Sequence, residues 1–367
     1  MSKGVLAILG SGETAPGMTK IHRSLFEGIE AEIKAVNLDT AYGFQENVPQ
    51  MTEKLADYFH TSLHVTVKPL HFSSYEASDE LSRAIFKQEV REANYVFAGP
   101  GSPSYAINQW LPLHLAEDLS AVLAKGGTLC FSSAAAATIG TFSPPVYEIY
   151  KAGAAPYWNP GLDLLSEFGL SCVVIPHFNN AEGGNYDTSC CYLGLRRLKL
   201  MEDELPRDVS VLGVDEHTAL ILDLQADSLR VMGRSNGFWR RGDEVVVLEN
   251  GSTTPLSELR SHQFTSARSP RLPEVQTTTS SEQLAQRILE GASDAVESLA
   301  QLVRRSEAGG EGRIDPSTLI EAVLAAREKA RAQGQYELAD DLRDALVKAS
   351  IDVHDGPAGS TWSLPSA

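Results

Sequence analysis

GGTLCFSSAAAATIG, residues 126 to 140, decides how the rest of the chain is put together. Two glycines lead into the apolar run TLCF, which predicts a buried strand. The run stops at Ser132 and Ser133, and alanines occupy the next positions. A serine at a strand end, ahead of a helix of tiny residues, is how α/β enzymes lift a nucleophile out of a sheet. Small neighbours permit the sharp turn, and the N-terminus of the following helix favours negative charge. The same residues would also serve a tight turn that merely packs a helix on a sheet, so both readings stay open at this point.

Working outward, strands and helices alternate on both sides of this turn. VLAIL at 5 to 9 is a first strand, followed by GSGETA, which formally matches G-x-G-x-x-A with Asp39 further along. Pro16 and Gly17 interrupt the helix that a dinucleotide site would need, so a loop lining the strand ends is preferred and no cofactor is expected. NVPQMTEKLADYFHTSL and EASDELSRAIFKQEVREA carry helical spacing, and HVTVKPLHF lies between them as a strand. The strand YVFA then opens into GPGSPSY, where Pro100 and Pro103 have no N–H and Gly99, Gly101 and Ser102 do. Exposed backbone donors at a strand end suit an oxyanion, although a rigid Pro/Gly turn reads the same way.

Downstream of the serines, SCVVIPHFNN predicts a strand ending at His177, and YLGLRRLKLMEDEL a helix. VSVLGVDEHTALILDL gives two strands around Asp215, Glu216 and His217. SLRVMG and GFWRRGDEVVVLENG add an antiparallel edge hairpin. The expected architecture is α/β, a doubly wound and mainly parallel sheet with a small C-terminal helical hairpin module. Domain limits are expected at 1–250 for the α/β domain, 251–312 for a linker and amphipathic helix, and 313–367 for the hairpin. The stretch from 252 to 280 is rich in Ser, Thr and Pro, as linkers are. SEQLAQRILEGASDAVESLAQLVRRS predicts one amphipathic helix, and residues 315 to 350 two more, hinged at Gly334.

Composition narrows the function classes. A net charge of −17 argues against a general nucleic-acid binder. No stretch reaches the ~20 apolar residues of a membrane span. Cys130, Cys172, Cys190 and Cys191 lack metal-ligand spacing and are expected as reduced thiols of a cytoplasmic protein, with no metal site.

Three segments in this order, GPGSPSY, FSSAAAA, and IPHFNN with GVDEHTALIL, resemble the dipeptidase E and cyanophycinase group of serine peptidases. That group has a class I glutamine amidotransferase-like fold, and the resemblance covers roughly residues 3 to 250. It implies Ser133, rather than Ser132, as nucleophile, His177 as base, and Glu216 as the histidine's acidic partner, with Asp215 the substitute. Gly101, Ser102 and Ala134 would supply oxyanion N–H groups. The substrate implied is a small peptide or related amide. This chain departs from the pattern at Phe131 and Ala135, where the family has glycines. It also has no arginine between His177 and Arg196, where cyanophycinase-like members grip an aspartate. These departures keep a second reading alive, a catalytically degenerate binding protein of the same fold; an amide-processing step in biosynthesis is a third.

The C-terminal segment LIEAVLAAREKARAQGQYELADDLRDALVKASIDVHDGPAGSTW resembles the C-terminal end of cysteinyl-tRNA synthetases, over about residues 315 to 364, with Ser350 in place of a tail glycine. It implies a tRNA or protein partner through residues 313–367, and a docking or homodimerising module is the alternative. From 313 onward six basic residues, Arg313, Arg327, Lys329, Arg331, Arg343 and Lys348, face nine acids, a poor balance for gripping phosphates. No synthetase nucleotide-binding motif is present, which excludes aminoacylation at the level of sequence.

Overall fold

The computed structural model describes residues 4–262, two C-terminal strands, and the helical positions Leu324, Arg327, Arg331, Ala339, Asp340, Leu342 and Arg343. The chain divides into two compact units, Met1–Ser269 and Pro270–Ala367.

In the first unit the leading strands are β1 (Val5–Leu9), β2 (Ala35–Leu38), β3 (Val67–Leu70), β4 (Tyr95–Ala98) and β5 (Thr128–Ser132). After the short β6 (Phe142–Ser143) and β7 (Asn159–Pro160) come β8 (Cys172–Ile175), β9 (Ser210–Val214), β10 (Thr218–Asp223) and β11 (Ser228–Gly233). The strands β12 (Gly237–Arg241), β13 (Glu244–Leu248) and β14 (Thr253–Pro255) complete the set. Eight of them form one sheet in the order β14-β11-β10-β1-β5-β4-β2-β3. The pairs from β1 to β3 are parallel, and those from β1 out to β14 antiparallel.

Strand sequence explains strand position. β1, β4 and β5 are apolar almost throughout and lie centrally, where both faces are covered. Leu6, Ile8, Val96, Leu129 and Phe131 enter the core on one face, and Ala7, Leu9, Tyr95, Phe97 and Cys130 the core on the other. This is the two-residue alternation of a pleated strand. Both outermost strands, β3 and β14, carry a proline, Pro69 and Pro255. Proline cannot donate to a further strand, so each edge is blunted against added pairing.

Helices cover the faces: α1 (Thr19–Glu27), α2 (Val48–Tyr58), α3 (Glu80–Glu92), α4 (Pro103–Trp110) and α5 (Leu115–Ala124). The expected helix over EASDELSRAIFKQEVREA begins one residue after Asp79, whose side chain accepts from Ser82 N–H at 2.7 Å. The remaining helices are α6 (Ser133–Ala136), α7 (Val146–Tyr150), α8 (Gly194–Glu204) and α9 (Leu256–Ser261).

Two expectations need correction. The hairpin β12–β13 does not edge the main sheet; with β9 and β8 it builds a second, four-stranded sheet, order β13-β12-β9-β8. The alternating pattern of these strands fixes which face is buried and leaves the partner unspecified. The boundary at 250 also falls too early. β14 pairs with β11, and Leu256 and Leu259 of α9 are buried, so the presumed linker begins as part of the first unit.

In the second unit, Asp352–Gly356 pairs antiparallel with Gly359–Ser363. The amphipathic helix expected over 281–306 and most of the hairpin expected over 315–350 lie outside the described residues.

Candidate active site

Ser133 follows β5 directly and adopts φ +51°, the left-handed region that a residue with a Cβ enters only at a cost. The strain turns the hydroxyl out of the sheet at the carboxyl end of the parallel strands. Phe131 does not obstruct this turn. Its ring is fully buried and meets Trp110 edge-on, with centroids 6.2 Å apart. Ala135 is also buried, and its N–H donates to Gly99 O at 3.2 Å, tying the serine turn to the loop after β4.

His177 stands two residues beyond β8, so it comes from the second sheet. Its φ is also left-handed, at +47°. Backbone bonds hold it there: its N–H donates to Gly10 O at 3.2 Å, and its carbonyl accepts from Cys191 N–H at 3.2 Å. Cys190, Cys191 and Tyr192 all have positive φ, a run with no glycine in it, and this turn carries that second anchor. Glu216 lies on the turn between β9 and β10, one of the links between the two sheets.

These three segments bring their side chains into one line. Ser133 Oγ is 2.9 Å from His177 Nε2, and His177 Nδ1 is 2.8 Å from Glu216 Oε1. A carboxylate accepts, so Nδ1 carries the hydrogen and Nε2 is left to accept from the serine. Asn180 Nδ2 donates to the same Glu216 oxygen at 3.0 Å, and Glu216 N–H donates to Asn179 Oδ1 at 2.8 Å. Burial pushes the Glu216 carboxyl upward, but the hydrogen bonds from His177 and Asn180, with the nearby imidazole charge, outweigh it and hold the pKa below the ordinary range.

The rival groups point elsewhere. Ser132 is fully buried and donates to Glu13 Oε2 at 2.8 Å. Asp215 accepts from Ser235 Oγ at 2.5 Å and from Asn236 N–H at 3.2 Å, away from the imidazole. The cysteines are buried and free, and burial pushes the Cys130 thiol up to about 12, which leaves no thiolate at neutral pH.

The expected oxyanion donors divide. Ser102 is a correction: its N–H donates to Ala41 O at 2.8 Å, and its hydroxyl accepts from Tyr105 N–H at 3.2 Å as the cap of α4. That leaves Gly101 and Ala134. Gly101 sits at φ +142°, and a Cβ there would lie 2.0 Å from Ala41 O, so only glycine fits. Ala134 is in the first turn of α6, where an N–H has no intrahelical acceptor. Because α6 is a single turn, individual N–H groups matter here more than a helix dipole.

The glycines of GSGETA serve the same assembly. A Cβ on Gly10 would lie 2.0 Å from Asp215 O, so the loop after β1 packs hard against the turn that carries Glu216. Asp39, which a dinucleotide site would need, is engaged by His71 and by Phe72 N–H. Glu13 was not singled out by the sequence reading. Its carbonyl accepts from His22 Nε2 at 2.9 Å, and His22 is buried between this carbonyl and the Tyr95 hydroxyl. Among the described residues no cluster of His, Cys, Asp and Glu is placed to hold a metal ion, and no helix is long and apolar enough to cross a membrane.

Comparison with solved structures finds a peptidase from an acI-B1 Actinobacterium, at TM-score 0.54 and 24% identity, covering 69% of this chain and 97% of that one. The fold is shared. A putative peptidase E from Listeria monocytogenes also aligns, at TM-score 0.41 and 13% identity, over 68% of this chain and 99% of the other. The C-terminal residues 316–362 match the cysteinyl-tRNA ligase anticodon binding domain. Among curated relatives, cysteine–tRNA ligase of Paenarthrobacter aurescens is 40% identical over 90 residues, 22% of this chain and 19% of the ligase. The chain therefore spans less than a fifth of that ligase.

Proposed function

We propose that the first unit is a serine hydrolase that cleaves a peptide or related amide bond through Ser133, His177 and Glu216. The observation that carries this reading is the continuous hydrogen-bonded line from Ser133 Oγ through both imidazole nitrogens to Glu216. A serine hydroxyl is a weak nucleophile until a neighbouring base takes its proton. As Oγ bonds to the scissile carbonyl carbon, the proton passes to His177 Nε2. Glu216, kept ionised, stabilises the imidazolium and fixes the ring's tautomer. The carbonyl oxygen becomes an oxyanion facing Gly101 and Ala134 N–H. A lost donor of this kind costs about 3 kcal/mol of barrier. The C–N bond then breaks, the imidazolium gives its proton to the departing amine, and water repeats the sequence on the acyl-serine ester.

Turnover of a dipeptide and acyl-amide panel by the whole chain tests this. Ser133→Ala and His177→Ala should each lower kcat by about 10⁶-fold. Retention of turnover in either variant contradicts the reading.

For residues 316–362 the family match supports contact with tRNA, against the acidic balance of the segment. Gel-shift titration of the whole chain with tRNA at two salt concentrations measures it. Binding that weakens with salt supports phosphate contacts, and no shift at low salt removes the proposal.

A further inference from the structure

One ring away from the imidazole, across Tyr192, lies a cavity of about 340 Å³ that the hydrolytic line does not use. Tyr147 and Tyr150 enter it from α7, Glu182 and Tyr186 from the loop after His177, and Tyr192 from the left-handed turn, with Lys151 and Thr188 completing the lining. The rings form a wall. Tyr150 and Tyr186 stack with centroids 6.3 Å apart and planes at 27°, and Tyr150 and Tyr192 lie 5.3 Å apart. The Tyr192 ring continues to His177, at 6.1 Å between centroids, so the wall ends against the catalytic base.

Three of the four hydroxyls of these rings are engaged within the wall. The Tyr150 and Tyr186 hydroxyls share a hydrogen bond of 2.5 Å, and the Tyr192 hydroxyl donates to Glu182 Oε2 at 2.7 Å. Lys151 Nζ rests 4.5 Å over the Tyr150 ring. The cavity therefore presents ring faces, and faces of this kind hold a flat apolar group by offset or edge-on stacking. Tyr147 and Tyr186 remain 45% and 56% exposed, much aromatic surface to leave wet without a ligand. A cavity of this volume accepts about one large side chain.

Position assigns the half of the substrate. The imidazole returns its proton to the departing amine, so the amine half lies on the histidine's side of the scissile bond and the oxyanion donors on the other. We propose that this tyrosine-walled cavity is the leaving-group subsite and selects an aromatic side chain on the residue whose amine departs. The assignment rests on the hydrolase reading above.

The test is protection of Ser133 in the full chain from a fluorophosphonate probe by product-like amines: L-phenylalaninamide, L-alaninamide and L-glutamic acid α-amide. Phenylalaninamide should halve the labelling rate at a concentration about tenfold or more below the other two, the usual range for filling an apolar pocket. Tyr186→Ala should abolish that advantage, and Tyr186→Phe, which keeps the ring face, should retain it. Each protein's labelling rate with amine is read relative to its own rate without amine. Equal protection by the three amines, no protection by any, or preference for the glutamate amide that disappears in Lys151→Ala overturns the subsite while leaving the hydrolase standing. If Ser133 itself resists the probe, the hydrolase reading falls and the subsite falls with it.

Discussion

The turn after β5 and the turn after β8 do the same job by different means. Both end a strand and both force a residue with a Cβ into the left-handed region. The serine turn is built locally, from an apolar strand and a run of alanines. The histidine turn is built at a distance: the loop after β1 holds its N–H, and the backbone of Cys191 holds its carbonyl. The serine belongs to the large sheet and the histidine to the small one, while Glu216 sits on the β9–β10 turn, one of the connections between them. The geometry of the site is thus set by how two sheets meet, and the loop after β1 is where they are pressed together.

After the loss of Ser133 or His177 themselves, the largest effect should come from Glu216. Glu216→Gln keeps the shape but removes the charge that balances the imidazolium, and kcat should fall by up to about 10⁴-fold. Steady-state kinetics on a protein with unchanged circular dichroism checks this, and a change under tenfold would show that the two sheets need not cooperate through this carboxylate.

On the serine side, His22 supports Glu13, which in turn holds Ser132. Burial lowers the His22 pKa from 6.5 to about 4. Between those values the unfolded chain binds a proton that the folded chain refuses, so stability contributed here is present above pH 6.5 and lost as pH falls towards 4. The loss should amount to about 3 kcal/mol, flattening below pH 4. Urea unfolding at pH 7, 5.5 and 4.5 measures it, and His22→Asn should flatten the slope over that interval.

On the histidine side, Gly10→Ala should cost about 2 kcal/mol, because a methyl cannot enter the space before Asp215 O. If the loop is the clamp between the sheets, kcat falls in the same variant through displacement of Glu216. A stability loss with kcat unchanged would confine the glycine to packing.

The smallest effect is expected at Ser102. Ser102→Ala removes the cap of α4, worth about 1 kcal/mol. Turnover should stay within about twofold, because the substitution keeps the backbone N–H and the hydroxyl it removes is engaged with Tyr105 N–H as the cap. A large fall in kcat without a fall in stability would give the Ser102 hydroxyl a part in the reaction.

The same contrast explains what the sequence made legible. Ser133, His177 and Glu216 could be named only because FSSAAAA, IPHFNN and GVDEHTALIL, in that order, resemble a known family; the local patterns alone left each reading open. Membership of the second sheet could not be read off, since the strand patterns of 210–214 and 237–248 state a buried face and no partner. Ser102 was misread for a related reason: the carbonyl that occupies its N–H belongs to residue 41, far away in sequence. The tyrosine wall gathers residues from 147 to 192 whose spacing follows no period. The three left-handed residues at 190 to 192 carry no glycine to announce them, so the second anchor of the histidine had no signal in the sequence at all.

The central claim is that the hydroxyl of Ser133, and not its neighbour, is the activated group. Treating the protein with a fluorophosphonate and mapping the adduct by peptide mass spectrometry tests this directly. A single adduct on Ser133, lost in Ser133→Ala and slowed by orders of magnitude in His177→Ala, is the predicted result. An adduct on Ser132, or a folded protein that takes up no probe, would contradict it.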